Sequence, residues 1–167
     1  DGLTWTVAIR DDVSFTDGEP LTAKDVAFTY NTVKAESSVN DFTMLDYAEA
    51  VDDGTVVFHM NRPYSIWPYT MALVGIVPEH AYSPDYGQHP IGSGRYELVQ
   101  WDRGQQVILE ANPDYYGEQP EMDRVTVLFM EEDAAFAAAM AGQADVAYTS
   151  ASYGEQAISG YGLLSVA

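Results

Sequence analysis

Several residue types in this sequence can carry chemistry, and their spacing limits what each can do. Three histidines, His59, His80 and His89, are candidates for ligating a metal or moving protons. Local metal motifs set paired ligands about three to five residues apart, and none of the three has a partner at such spacing. Ordinary surface or half-buried roles are expected, and no metal site. Adjacent acids stand at Asp11-Asp12, Asp52-Asp53 and Glu131-Glu132. General acid catalysis needs one carboxyl held in an apolar pocket, whereas neighbours in a turn or at a helix start are solvated. Gly92-Ser93-Gly94 has the start of a phosphate loop, but no third glycine or Lys-Ser/Thr follows, and a strand rather than a helix comes next. It reads as a tight backbone approach to a hairpin. The aromatics Trp67, Tyr69, Tyr115 and Tyr116 have the faces to stack on a ligand, yet large aromatics at such spacing belong more often to a core. There is no cysteine, which excludes disulfides, thiolate metal sites and cysteine nucleophiles. No catalytic set and no cofactor site emerges.

Composition narrows the partners. Across 167 residues, 7 basic and 26 acidic side chains give a net charge of −19. Nucleic acid needs a basic footprint, so it is excluded as a partner, and anionic lipid is disfavoured for the same reason. The acids are scattered, which fits either adaptation to salty surroundings or a receptor that attracts cations. The first is favoured, because scattered charge does not focus on one cleft. With 47% hydrophobic and 13% aromatic residues the chain is expected to fold around a real core. It opens on a strand lead-in and stops at the end of another strand, as a piece of something longer would.

The elements that must position any site follow from pattern. Leu3 to Arg10 alternates, with Trp5, Val7 and Ile9 on one face, and ends at Asp11-Asp12. After the turn Asp17-Gly18-Glu19-Pro20, Thr22 is placed as the N-cap of a helix from Ala23 to Lys34. Asp25 is an acidic capping-box partner, Leu21 staples to Val26, and Val26, Tyr30 and Val33 form the apolar face. Asp52-Asp53-Gly54 joins two β-rich arms, Leu45 to Val51 and Thr55 to Met60, into a hairpin. Arg62-Pro63 predicts a second helix with Ile66, Trp67, Tyr69 and Met71 inward, cut short by Pro68. Ser83 to Pro90 is a crossover.

A second hairpin pairs Arg95 to Trp101 with Gln106 to Ala111 across Asp102-Arg103-Gly104, where Gly104 supplies a positive φ. Val125 to Met130, apolar on both faces except at Thr126, predicts a central strand covered on both sides. Asp133 is placed as the cap of a helix through Phe136 and Met140 that closes at Gly142. Ala144 to Tyr148 is expected as a short strand, Ser152 to Ser159 as a helical turn or two, and Gly162 to Val166 as a last strand.

The ordered set Ile91-Gly92-Ser93-Gly94-Arg95-Tyr96, Trp101, Arg103-Gly104, Asn112-Pro113-Asp114-Tyr115-Tyr116-Gly117, Pro120 and Ala141-Gly142-Gln143-Ala144-Asp145-Val146 resembles the solute-binding proteins of peptide and nickel ABC importers. Asp1-Gly2-Leu3-Thr4-Trp5-Thr6, Asp17-Gly18 and Leu21-Thr22-Ala23-Lys24-Asp25-Val26 are similar to an earlier block of that family. A proline commonly stands where this chain has Arg95, which changes the local turn.

The resemblance implies a mixed α/β fragment of the N-terminal lobe of a two-lobed periplasmic-binding-protein fold, with mixed sheets, flanking helices and β-hairpins. Residues 1–88 would be the smaller subdomain of that lobe and 89–167 the returning part of the larger one, with the second lobe lying beyond. It further implies an extracytoplasmic receptor, periplasmic or held at the cell surface by a lipid anchor. Such a receptor would be a monomer that catalyses nothing, binds a small solute such as a peptide and delivers it to ABC permease subunits. By position in the family, Thr43, Met44, Val74, Gly75 and Ile76 would line the cleft wall. Nickel-chelate relatives carry an arginine near the latter segment, and here no lysine or arginine occurs between Pro63 and Ile91. That counts against an anionic chelate. Two readings from other classes remain: a carbohydrate-active domain with an aromatic cleft and a carboxylate pair, and a purely structural module without a cleft.

Overall fold

The computed structural model describes residues 2–37, 41–150 and 152–153. The chain divides into two compact units, Asp1–Trp101 with Ile108–Val125, and Asp102–Val107 with Thr126–Ala167. The fold is mixed α/β, as expected.

The first unit is built on an antiparallel sheet of order β1-β3-β2, formed by β1 (Thr4–Ala8), β2 (Leu45–Asp52) and β3 (Thr55–Met60). Period-two alternation turns Val56, Phe58 and Met60 of β3 into the core, and Trp5 and Val7 of β1 lie half-buried on the same face. In β2 both Leu45 and Ala48 are buried although three residues apart, and the ladder accommodates this by a register shift between Leu45 and Tyr47. Asn31 secures the strand there: its amide donates to the Ala48 carbonyl at 2.9 Å and accepts from the Ala48 N–H at 2.9 Å.

Helix α1 (Ala23–Glu36) covers this sheet and starts where capping chemistry places it. The Thr22 hydroxyl accepts from the Lys24 N–H at 3.3 Å, and the Asp25 carboxylate accepts from the Thr22 N–H at 2.9 Å. Val26 and Tyr30 are buried. Tyr30, Phe42, Phe58 and Trp67 meet edge-on or tilted with centroids 4.9 to 6.1 Å apart, the quadrupole-favoured geometry for buried rings.

The second helix differs from expectation. Arg62-Pro63 does not start it; α2 runs Trp67–Met71 with Pro68 in its first turn, where a missing N–H costs nothing. Pro68 therefore opens the helix rather than ending it. Trp67 is fully buried and Met71 packs against the core, but Ile66 and Tyr69 face solvent. At 100° per residue, positions 66, 67, 69 and 71 cannot all share one face. Of two short 3₁₀ turns, Glu79–Ala81 precedes the crossover from Ser83 to Pro90 and Tyr86–Gln88 lies within it.

Strands β4 (Tyr96–Asp102), β5 (Gln106–Ala111) and β6 (Arg124–Leu128) form a second sheet in that order, and Gly104 has φ 74° at the hairpin turn. The Asn-Pro-Asp-Tyr-Tyr-Gly stretch proves to be a clasp. Buried Asn112 donates from its side chain to the Gly94 carbonyl at 3.0 Å and from its backbone to the Arg95 carbonyl at 2.9 Å, which fixes the Gly92-Ser93-Gly94 approach to β4. At Gly117 a Cβ would lie 2.6 Å from the Tyr115 ring, so only glycine lets that ring fold back.

Three further expectations are corrected. The run Val125 to Met130 is not a covered central strand: β6 is the outer strand of its sheet among the described residues, and Val127, Leu128, Phe129 and Met130 are 41 to 46% exposed. An apolar pattern states a need for cover, and no element among the described residues supplies it. Ala144 to Tyr148 forms no strand, and Val146 and Tyr148 stand in solvent. Helix α3 (Glu132–Met140) has Glu131, not Asp133, at its N-cap. Its far end is as expected: Gly142 has φ 70°, its N–H reaches the Ala139 carbonyl at 2.9 Å, and the Gln143 N–H reaches the Ala138 carbonyl at 2.8 Å. Those two bonds are a Schellman closure. Most of Ser152 to Ser159, and all of Gly162 to Val166, lie outside the described residues.

Candidate functional site

The two stretches expected to line a cleft are held by different devices. Thr43 is exposed and Met44 is buried. Asn61, just past β3, holds their backbone: its N–H donates to the Met44 carbonyl at 2.9 Å, and its side-chain amide donates to the carbonyls of Thr43 at 2.9 Å and Leu45 at 3.2 Å. Asp41 accepts from the Thr43 N–H at 2.9 Å, and bonds from the Thr43 backbone and hydroxyl hold its carboxyl below the usual range.

Val74 and Ile76 are half-buried against the core cluster and Gly75 is exposed. They hang between α2, where the Val74 N–H reaches the Met71 carbonyl at 3.2 Å, and an anchor on α1. That anchor is buried Thr29, whose hydroxyl accepts from the Val77 N–H at 3.0 Å and donates to the Asp25 carbonyl at 2.7 Å. Buried Asp25 accepts from the Glu79 N–H at 3.0 Å while also closing the capping box. A side chain that began as a helix cap thus fixes the segment running on from the candidate wall. Apart from its chain neighbours, no heavy atom lies within 4 Å of where a Gly75 Cβ would sit, so the candidate wall is open there.

Both stretches rest on one core cluster, in which Met44 is a member and Val74 and Ile76 are flanking residues. Met44 is buried and presents little open surface. Two surface hollows, one along α1 by Phe28 and Asn31 and one by Asp17, His89 and Trp101, include none of these five residues. A ligand cleft encloses most of its occupant, and neither hollow touches the stretches expected to line one.

The other candidates have local employment. His80 contacts Asp17 at 2.7 Å, and His59 stacks on Tyr47 with 4.2 Å between centroids while meeting Glu49 at 3.3 Å. Among the described residues no group of three His, Cys, Asp or Glu side chains is arranged to hold a metal ion. Asp12 pairs with Arg10 at 2.6 Å, Asp53 with Lys24 at 3.0 Å, and Asp52 accepts from the Gly54 N–H at 2.9 Å. Glu132 bonds to the Ser150 backbone. Tyr116 and Tyr115 lie under the guanidinium groups of Arg10 and Arg95, at 4.9 and 5.6 Å from their ring centroids. These aromatics serve the clasp. What pattern reading missed is the apolar face made by Ile66, Tyr69 and Leu73, and the i, i+3, i+7 spacing was the available signal.

One sheet-and-helix unit thus fixes both loop segments by backbone clamps. The chain belongs to the bacterial extracellular solute-binding proteins, family 5, whose middle region matches residues 1–163. Protein XP55 of Streptomyces lividans is 38% identical over 144 residues, 80% of this chain and 26% of that protein. The oligopeptide-binding protein AppA of Bacillus subtilis, solved in complex with a nonapeptide, is similar in fold with a TM-score of 0.80 and 31% identity, over 93% of this chain and 34% of that one. NikZ of Campylobacter jejuni, solved with Ni(L-His), gives a TM-score of 0.87 at 25% identity, over 93% of this chain and 34% of that one. The chain thus spans about a quarter to a third of these relatives. Among the described residues no helix is long and apolar enough to cross a membrane.

Proposed function

We propose that this chain is part of the N-terminal lobe of an extracytoplasmic receptor that closes two lobes on a small solute, a peptide, and hands it to ABC permease subunits. Residues 1–88 form the smaller subdomain of that lobe and 89–167 the returning part of the larger. The receptor is a monomer, catalyses no reaction and needs no cofactor. The observation that carries this reading is the likeness, at 31% identity, to a receptor solved with a nonapeptide. Thr43, Val74, Gly75 and Ile76 face the solute, and Met44 supports them from the core.

A two-lobed receptor gains affinity by burying its ligand between two walls. One wall leaves the ligand's charged ends in water, and each charge-assisted hydrogen bond so forgone removes about 1.5 to 3 kcal/mol. Three such losses exceed half of the roughly 8 kcal/mol that corresponds to micromolar binding. Calorimetric titration with a mixed peptide library tests this on the isolated chain and on the chain extended through its second lobe. Millimolar or weaker binding by the first and micromolar binding by the second are expected. Micromolar binding by the isolated chain would overturn the two-lobe reading.

A further inference from the structure

From Pro63 to Pro78 there is no charged residue, in a chain that is 20% charged. Within this stretch the backbone winds from Ile66 through α2, with the Tyr69 N–H on the Ile66 carbonyl at 3.0 Å and the Leu73 N–H on the Thr70 carbonyl at 3.2 Å. Helical spacing therefore puts Ile66, Tyr69 and Leu73 on one face while Trp67 points the other way into the core. Their exposures, 52, 79 and 77%, are unusual for side chains of this size. The face leads directly into Val74, Gly75 and Ile76. No lysine or arginine lies between Pro63 and Ile91, and the acids in that interval are Glu79 and Asp85.

We infer that Ile66, Tyr69 and Leu73 extend the candidate wall into an apolar platform that takes the side chain of an apolar peptide and disfavours acidic ones. This rests on the peptide-receptor reading and adds the class of peptide. The surroundings favour that occupant: the stretch from Pro63 to Pro78 offers no cation of its own to compensate a buried carboxylate, and the −19 charge of the chain repels one at a distance. Aliphatic side chains lose nothing there and gain the area covered. Tyr69 is suited to such contact because its two side-chain torsions leave little freedom to lose, and its hydroxyl can stay in water.

The test uses the complete receptor that carries this chain, titrated with trileucine, triglycine and triglutamate, before and after Tyr69→Ser and Leu73→Ser. Both side chains lie mostly in solvent, so both variants are expected to fold, and a thermal midpoint checks each. Trileucine should bind at least about tenfold tighter than triglutamate. Each substitution should weaken trileucine about tenfold and leave triglycine within about twofold. Equal weakening of all three peptides would mean that the face packs against another part of the receptor, and it overturns the inference. So does no weakening of any. If the unaltered receptor binds none of the three, the peptide reading itself fails and this inference falls with it.

Discussion

Two stretches of this chain contain similarly apolar strands and end in opposite environments. Between Thr4 and Met60, β3 places Val56, Phe58 and Met60 under α1 and beside Trp67, and all of them are buried. In the run from Arg124 to Met130, Val127, Leu128, Phe129 and Met130 keep more than two fifths of their surface in water. What separates them is the cover. The first strand has α1, which ends at Glu36 well upstream, and an aromatic just downstream, Trp67, that close over it. The second has no such layer among the described residues, in a chain that spans 26% of Protein XP55. Apolar content marks surface that is to be covered; whether the covering element lies in the same stretch is separate information.

The sharpest way to break this contrast is to truncate one residue on each side. Trp67→Ala removes the ring at the centre of the Tyr30, Phe42 and Phe58 cluster and should cost about 3–5 kcal/mol. Phe129→Ser should stay within about 0.5 kcal/mol in this chain, since its ring is already half in water. Denaturant midpoints for the two variants decide it, and comparable losses would mean that Phe129 has a cover in solution.

That asymmetry also marks what could be read from residues alone. The Thr22 and Asp25 capping box, the Gly104 turn and the Gly142 helix end were legible because each partner lies within a few residues. The clamps made by Asn31, Asn61 and Asn112 were not, because their acceptors lie 16 to 18 residues away and nothing in an asparagine announces which carbonyl it will meet. Pro63 and Pro68 were equally good helix openers by type, and the burial of Trp67 decided between them. For the candidate site, Thr43, Met44, Val74, Gly75 and Ile76 came from family resemblance. Their supports on Thr29, Asp25 and Asn61 emerged only with the fold.

A second test asks whether surface charge acts alike on both stretches. With 26 acids against 7 bases, self-repulsion burdens the folded chain and is screened within about 8 Å at physiological ionic strength. Raising sodium chloride from low to molar concentration should raise the thermal midpoint by on the order of 5–10 °C. A flat or falling midpoint would remove the salt-adapted reading of the composition. It would also leave exposed β6, which molar salt drives toward association, as the dominant response.

Glycines sharpen the comparison at smaller scale. Gly142 closes α3 at φ 70°, a conformation that costs a β-branched residue about 1–2 kcal/mol or more. Gly142→Val should therefore lower stability by that amount. Gly75 has no positive φ and open space around it, so Gly75→Val should be near neutral. Equal denaturant midpoints for the two would contradict the assigned end of α3.

The smallest expected effect is a pH dependence carried by one contact, the 2.7 Å pair of His80 with Asp17 that ties the turn after Phe15 to the segment running on from the candidate wall. The bond to Asp17 raises His80 above its ordinary 6.5 against the opposing effect of desolvation, and the negative charges of Asp17, Glu19 and Asp25 add to the rise. Burial pushes the Asp17 carboxyl up, but the bonds from His80 and from the Glu19 N–H outweigh it and leave Asp17 below its ordinary 3.8. A histidine raised in the folded state stabilises fully below its unfolded value and loses that contribution as pH rises through its folded value. A carboxyl lowered in the folded state stabilises above its unfolded value and loses that contribution as pH falls through its folded value. Both contributions are therefore whole between about pH 4 and 6.5, and only the histidine's fades on the alkaline side. The thermal midpoint of the unaltered chain minus that of His80→Gln should be largest in that window and shrink toward pH 8. Because His80 is exposed, the difference should also diminish with salt. A difference that stays constant from about pH 5 to 9 would show that the imidazole charge contributes nothing to this tie, leaving the edge contact of the His80 ring with Phe15 as its whole role.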